Sequence, residues 1–295
     1  MDSDKTLVLV CGAARSGTTM LDLMLGNSDD AFSTGEIYAL FRPFRMHHFD
    51  PVCNCGDPDC AVWAELRHVP EHQLHLRVSQ QPGIRYVIDS SKDLRWVLDS
   101  NRWAAKNGLQ VRNLLIWKDP IDLAHSHWKR GRPVDYFRKA FLDYYQRFLT
   151  LNLPFVSVSY SRLVTADTRV FAMLCENLGM TSSLDQAEFW HKQHHHFFGS
   201  AGTASQVGEG SSTLSLRRDF PEEFVSAYDA YLEALGPDTE MNELIAQLEA
   251  HEISNPDRVV VDEALSALVR PGWYYRHALK ALYRKYFPER EAVVD

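Results

Sequence analysis

Nowhere in this 295-residue chain do apolar residues run long enough for a membrane-spanning helix, which needs about 20 of them. Basic excess is also missing. Lysine and arginine total 31 against 39 aspartates and glutamates, a formal net charge of −8. A whole-protein positive field of the kind that gathers nucleic acid is therefore excluded. The start, MDSDKTLVLVCG, has neither the basic opening nor the long apolar stretch of a secretory signal, so a cytoplasmic protein is expected. Cysteine is sparse, and its count of five is odd. Disulfides are rare in that compartment, so no disulfide framework is assumed. There is no internal repeat. The small, polar stretch Gly199 to Ser215 is the one low-complexity candidate, read as a mobile loop or lid. One domain spanning residues 1–295 is expected.

What is present is an alternation. Thr6–Cys11 (TLVLVC) is a continuous apolar run of the kind that forms a strand buried on both faces. Met20, Leu21, Met24 and Leu25 follow at helical spacing, and Gly26-Asn27 ends that helix. Arg85–Asp89, Asn113–Trp117 and Phe155–Tyr160 read as three further strands. Leu94–Ala105 and Tyr136–Leu149 read as helices between them, and the chain is helical again from Phe220. The pattern predicts an α/β fold: a P-loop-type parallel sheet flanked by helices, with a helical C-terminal part.

The first strand runs into GAARSGTTML. Gly12 and Gly17 flank four residues, as in a phosphate-binding loop. Glycines allow the tight turn, and free amides at a helix N-terminus point at an anion. A nucleoside triphosphatase has lysine where this chain has Thr18. The basic residue stands inside the loop instead, as Arg15. That set of donors, Ala14 through Thr19, suits an anion better than a magnesium-bound triphosphate. The alternatives are a plain small-residue turn or a P-loop kinase.

A second site follows the strand NLLIW. Lys118 ends it, Asp119-Pro120 opens a turn, and Ser126 lies eight residues after Lys118 in the next helix. A lysine and a hydroxyl at the carboxyl edge of an open sheet could share a second phosphate.

Together these elements resemble the family of sulfotransferases that use 3′-phosphoadenosine 5′-phosphosulfate (PAPS). Arg15-Ser16-Gly17-Thr18-Thr19 is similar to their 5′-phosphosulfate loop. Lys118…Ser126 is similar to their 3′-phosphate site, with lysine in place of the usual arginine and so without its bidentate fork. Tyr160–Val164 (YSRLV) resembles a family element that carries an acid where this chain has Ser161. The motifs are closest in kind to bacterial members and to the tyrosylprotein and carbohydrate branches. The resemblance covers roughly residues 6–165. It implies transfer of a sulfuryl group from PAPS to a hydroxyl acceptor (a glycan, a small alcohol or phenol, or tyrosine), releasing 3′-phosphoadenosine 5′-phosphate (PAP), with no metal required. It also implies PAPS contacts from Ala14, Arg15, Ser16, Gly17, Thr18, Thr19, Lys118, Ser126 and Tyr160. A nucleotide-binding module without catalysis is the non-enzyme alternative.

Sulfuryl transfer needs a base for the acceptor proton and cations for the leaving oxygen. By the same resemblance Glu36, in STGEIYAL, is the base, and Lys92, in DSSKDLRW, joins Arg15 as a catalytic cation. Otherwise Glu36 is an acid at a helix start, and Ser90 caps a helix beside a solvated Lys92. His125, His127 and the run His194 to His196 are alternative bases. His195 to Gly199 partly matches an H-x-x-x-G-N element found in bacterial members, with Ser200 for the asparagine. Cys53, Cys55 and Cys60 (CNCGDPDC) could bind zinc with a histidine such as His48. Their spacing departs from paired C-x2-C sites, and a metal-free structural loop is the expectation. The aromatic and basic tail, Trp273 to Phe287, is expected to pack on the domain or on a dimer partner rather than on a membrane surface.

Overall fold

The computed structural model describes residues 4–165, 169–182, 187–204, 207, 216, 218–259, 270–275, 283, 286 and 287. The first apolar run forms β1 (Thr6–Cys11), and α1 (Thr18–Gly26) follows the glycine loop. Next come the short β2 (Ala31–Ser33), the single-turn α2 (Tyr38–Phe41) and α3 (Leu74–Ser79). Then follow β3 (Tyr86–Asp89), α4 (Leu94–Lys106), β4 (Gln110–Trp117), α5 (Pro120–Trp128) and α6 (Tyr136–Leu149). The edge strand β5 (Val156–Ser159) leads to α7 (Tyr160–Thr165) and α8 (Arg169–Leu178). After α9 (Ala201–Ala204), helices α10 (Glu222–Leu235) and α11 (Thr239–Ala250) make the helical C-terminal part.

The five strands form one parallel sheet in the order β2-β3-β1-β4-β5. Alternate side chains of β1 enter two separate cores. Leu7, Leu9 and Cys11 pack with Trp96, Leu98 and Phe141 on one face. Val8 and Val10 pack with Met20, Leu21, Met24 and Leu174 on the other. That division is why the strand reads as a continuous apolar run: both of its faces are covered by helices. All nine residues of α1 are buried, so the loop before it is anchored from below by a helix with no solvent face.

Several boundaries differ from the sequence reading. Strand β2 was not foreseen: three residues, AFS, carry too little pattern to be seen. The last strand ends at Ser159, and Tyr160 opens α7. Asp93, not Ser90, caps α4, its carboxylate accepting the amides of Arg95 and Trp96 at 3.1 Å each. Such a cap contributes about 1 kcal/mol. The tail docks on the domain where it is described. Arg270 and the Tyr274 hydroxyl reach Asp99 of α4, and the Trp273 indole donates to Thr150 Oγ1. Residues 276–282, 284 and 285 of that tail lie outside the described residues, as do 205–206 and 208–215 of the expected lid. Among the described residues, no helix is long and apolar enough to cross a membrane.

Candidate active site

The connections leaving β1 and β4 run to opposite sides of the sheet, because β1 leads to β2 and β4 leads to β5. This is the switch point at whose carboxyl ends open α/β folds bind ligands. The two anion motifs lie there, one after each strand.

The glycine loop is held on its inner side. The Gly12 and Ala13 amides donate to the hydroxyls of Tyr144 and Tyr145 at 3.0 and 3.3 Å, and Tyr145 donates in turn to the Ile116 carbonyl. Ser16 Oγ donates back to the Ala13 carbonyl at 2.7 Å. Gly17 adopts φ 104°, and a β-carbon there would lie 2.5 Å from the Tyr160 ring. Only glycine fits, on conformational and steric grounds alike. Helix α1 then starts with no side-chain cap, which leaves its first-turn amides to the loop mouth. Thr18 and Thr19 are buried beneath that mouth, and Ala14 is exposed at its rim.

Arg15, at φ 75°, reaches across the crevice. Its Nε donates to Ser126 Oγ of α5 at 3.4 Å, and its Nη1 donates to Ser200 Oγ at 3.2 Å. Burial, then the nearby Arg130, lowers its pKa, while Glu36 opposes the shift. Lys118 lies with Nζ 3.9 Å from the centre of the Tyr160 ring. Burial, then Arg15, pushes its pKa down to about 8. Asp119 and Asp122, whose charges Lys118 feels, are both engaged by Arg218. Among the described residues, no carboxylate forms an ion pair with Arg15 or Lys118. A locally cationic cleft thus stands in an acidic chain.

On the other side of β1, Glu36 follows β2 and pairs with Lys92 through its Oε1. Its backbone amide donates to the Phe197 carbonyl at 2.9 Å. The charge of Glu36 is felt by Arg15 and opposes the lowering of its pKa. The pairing of Glu36 with Lys92, 56 residues apart, was not foreseen. A cavity of about 250 Å³ opens beside Lys92, lined also by Asp93, Arg95, Tyr144, Arg147 and Trp273.

The histidines are placed elsewhere. His125 is buried against Phe220 and Phe224. His127 contacts the Ala14 backbone from below, and burial, then Arg15, pushes its pKa down to about 4. His196 is wholly buried. His194 bonds the Phe189 carbonyl. His195 turns its Nδ1 to the cysteines, 3.3 Å from Cys60 Sγ, rather than to the loop mouth. His48 does not approach the cysteines: its Nδ1 accepts the amides of Phe44 and Arg45, and its ring packs on Phe198. Residues that sequence reasoning missed are Tyr144 and Tyr145, which hold the loop, and Arg218. Ser200 was noticed only as a departure from a motif, yet its amide donates to Thr19 Oγ1 at 3.0 Å.

No family model and no curated protein matches the sequence. Solved structures do match. The sulfotransferase domain from the curacin biosynthetic pathway is 15% identical, with a TM-score of 0.55, over 83% of this chain and 98% of that one. The sulfotransferase domain from the Synechococcus PCC 7002 olefin synthase is 12% identical, with a TM-score of 0.47, over 78% of this chain and 96% of that one. At such identity the first likeness is one of architecture: the chain has an α/β fold of P-loop type similar to that of a sulfotransferase domain.

Proposed function

We propose that this protein transfers the sulfuryl group of PAPS to a hydroxyl acceptor and releases PAP. The observation that carries the reading is the pair of cations, Arg15 and Lys118, beside the uncapped start of α1 with no carboxylate partner among the described residues. Two cations that repel each other in a half-buried cleft are complementary to an anion with two phosphate-like ends. The likeness in architecture to the sulfotransferase domain from the curacin biosynthetic pathway adds support.

In this reading Ala14 to Thr19 bind the phosphosulfate, and Lys118 and Ser126 bind the 3′-phosphate beside Tyr160. The acceptor enters next to Glu36 and Lys92. Its oxygen attacks sulfur and its proton passes to Glu36, where Oε2 is left open by the contact of Lys92 with Oε1. The new O–S bond forms as the bond from sulfur to the bridging oxygen breaks. The electron pair stays on the 5′-phosphate, whose growing charge Arg15 and Lys92 stabilise. The charges are supplied by side chains, so the proposed step needs no metal.

The test combines two measurements. Calorimetry with EDTA present compares PAP with adenosine 5′-monophosphate. Labelled PAPS is then offered with glycans, simple alcohols and phenols, and tyrosine peptides. Preference for PAP together with label in one acceptor class supports the proposal. Tight binding that requires Mg-ATP, without binding of PAP, would overturn it in favour of a kinase.

A further inference from the structure

Cys53, Cys55, Cys60 and His195 bring their Sγ and Nδ1 atoms together so that all four lie within 4.8 Å of one another. We propose that these four residues hold one structural zinc ion, which clips the loop at 53–60 to the segment that borders the glycine loop.

The donor set and its geometry carry the inference. Three sulfurs and one imidazole nitrogen are a common complement for structural zinc. With bonds of about 2.3 Å to sulfur and about 2.0 Å to nitrogen, tetrahedral donors stand roughly 3.5–3.8 Å apart. Here Nδ1 of His195 is 3.3 Å from Cys60 Sγ and 4.0 Å from Cys53 Sγ. Closing the set on an ion asks for sub-ångström shifts of rotatable side chains. The backbone is already shaped for it. The Gly56 amide donates to the Cys53 carbonyl at 2.9 Å, a tight turn that brings Cys53 and Cys55 to one side. Gly56 has φ 83° with open space where a β-carbon would stand, so the glycine serves the turn and not the packing. The supporting shell is also in place. Trp63 Nε1 donates to the His195 carbonyl at 2.8 Å, and the Asn54 amide donates to the His196 carbonyl at 2.9 Å. Such outer contacts orient ligands. Cys53 and Cys60 are both 2% exposed, which shields thiolates from oxidation.

Four protein donors leave no open coordination position, so this zinc supports structure and takes no part in transfer. What it supports is specific. Two residues beyond His195, the Phe197 carbonyl accepts the Glu36 amide, and the Ser200 amide holds Thr19. The clip therefore fixes the strap against which both sides of the crevice rest. The inference does not depend on the reaction proposed above.

The experiment uses the full untagged chain, expressed with added zinc and purified under reducing conditions without chelator. Elemental analysis should find about one zinc per chain. Cobalt in its place should give tetrahedral visible bands with thiolate charge transfer. Cys55→Ser and His195→Asn should each lose most of the zinc, while His48→Asn keeps it. Stripping with chelator should lower the melting temperature by several degrees, and zinc chloride should restore it with release of protons from the thiols. Should a variant fail to fold, the wild-type measurements still decide. Wild-type protein that carries no zinc and gains no thermal stability from zinc chloride would overturn the inference. So would an intact mass showing a cysteine disulfide within the cluster, or zinc retained at full occupancy in both ligand variants.

Discussion

The two halves of the sheet's carboxyl edge handle buried charge in opposite ways. At the end of β3, Asp89 is fully engaged: it accepts from His75 Nε2 and Trp96 Nε1 at 2.8 Å and from the Ser91 amide at 2.7 Å. After β1 and β4, Arg15 and Lys118 touch hydroxyls and a ring and meet no carboxylate among the described residues. A buried charge that is satisfied from within holds the fold. One that is left without its counter-charge is costly to keep, and that cost is what the proposed ligand would offset. Glu36 and Lys92 stand between these cases, paired with each other yet only partly buried.

The sharpest way to break this contrast is Arg15→Ala. Turnover should vanish and PAP binding weaken by about 2–5 kcal/mol, with little change in melting temperature. Calorimetry showing native PAP affinity would place the phosphosulfate elsewhere. Next is Glu36→Gln, which should bind PAP almost normally and lose about 10²-fold or more in rate. Near-native turnover in steady-state assays would remove Glu36 as base. Asp89→Asn should do the reverse of Arg15→Ala. Stability in urea should fall by about 2–3 kcal/mol, while the folded fraction keeps its PAP affinity. Loss of affinity without loss of stability would dissolve the distinction between the two halves.

A smaller effect is one of pH. Burial, then Arg15, pushes the Lys118 ammonium down to about 8 from its ordinary 10.5. Between those values the folded chain holds fewer protons than the unfolded chain, so this group's contribution to stability rises with pH there. A bound phosphate reverses the preference and draws the proton back. Affinity for PAP should therefore fall by up to about tenfold per pH unit above 8, while adenosine 5′-monophosphate shows no such loss. Equal pH slopes for the two nucleotides would move the 3′-phosphate away from Lys118. Ser126→Ala should cost only about 1 kcal/mol of the same preference.

Local signals were legible where chemistry and sequence neighbours coincide. TLVLVC followed by GAARSGTT announced a strand, a glycine loop and a helix because all three are contiguous. Strand β2 was hidden by its shortness. The partner of the cysteines was hidden by distance: His195 lies 135 residues from Cys60. His48 looked eligible because it is near in sequence, yet neighbouring amides already occupy its Nδ1. Tyr144 and Tyr145 sit 132 residues from the amides they hold. Within α6 they read as ordinary aromatic residues of a helix, and no spacing rule links them to a glycine loop.

The Tyr160 ring has one further consequence. It lies against Gly17 and under the Lys118 ammonium. A cation resting on an aromatic face has exchanged much of its water for an attraction of only about 0.5–2 kcal/mol. Under the proposed reading, an arriving phosphate would displace that hold without first stripping a hydration shell from the lysine. The dehydration of Lys118 would then be completed when the chain folds rather than at each binding of the proposed nucleotide.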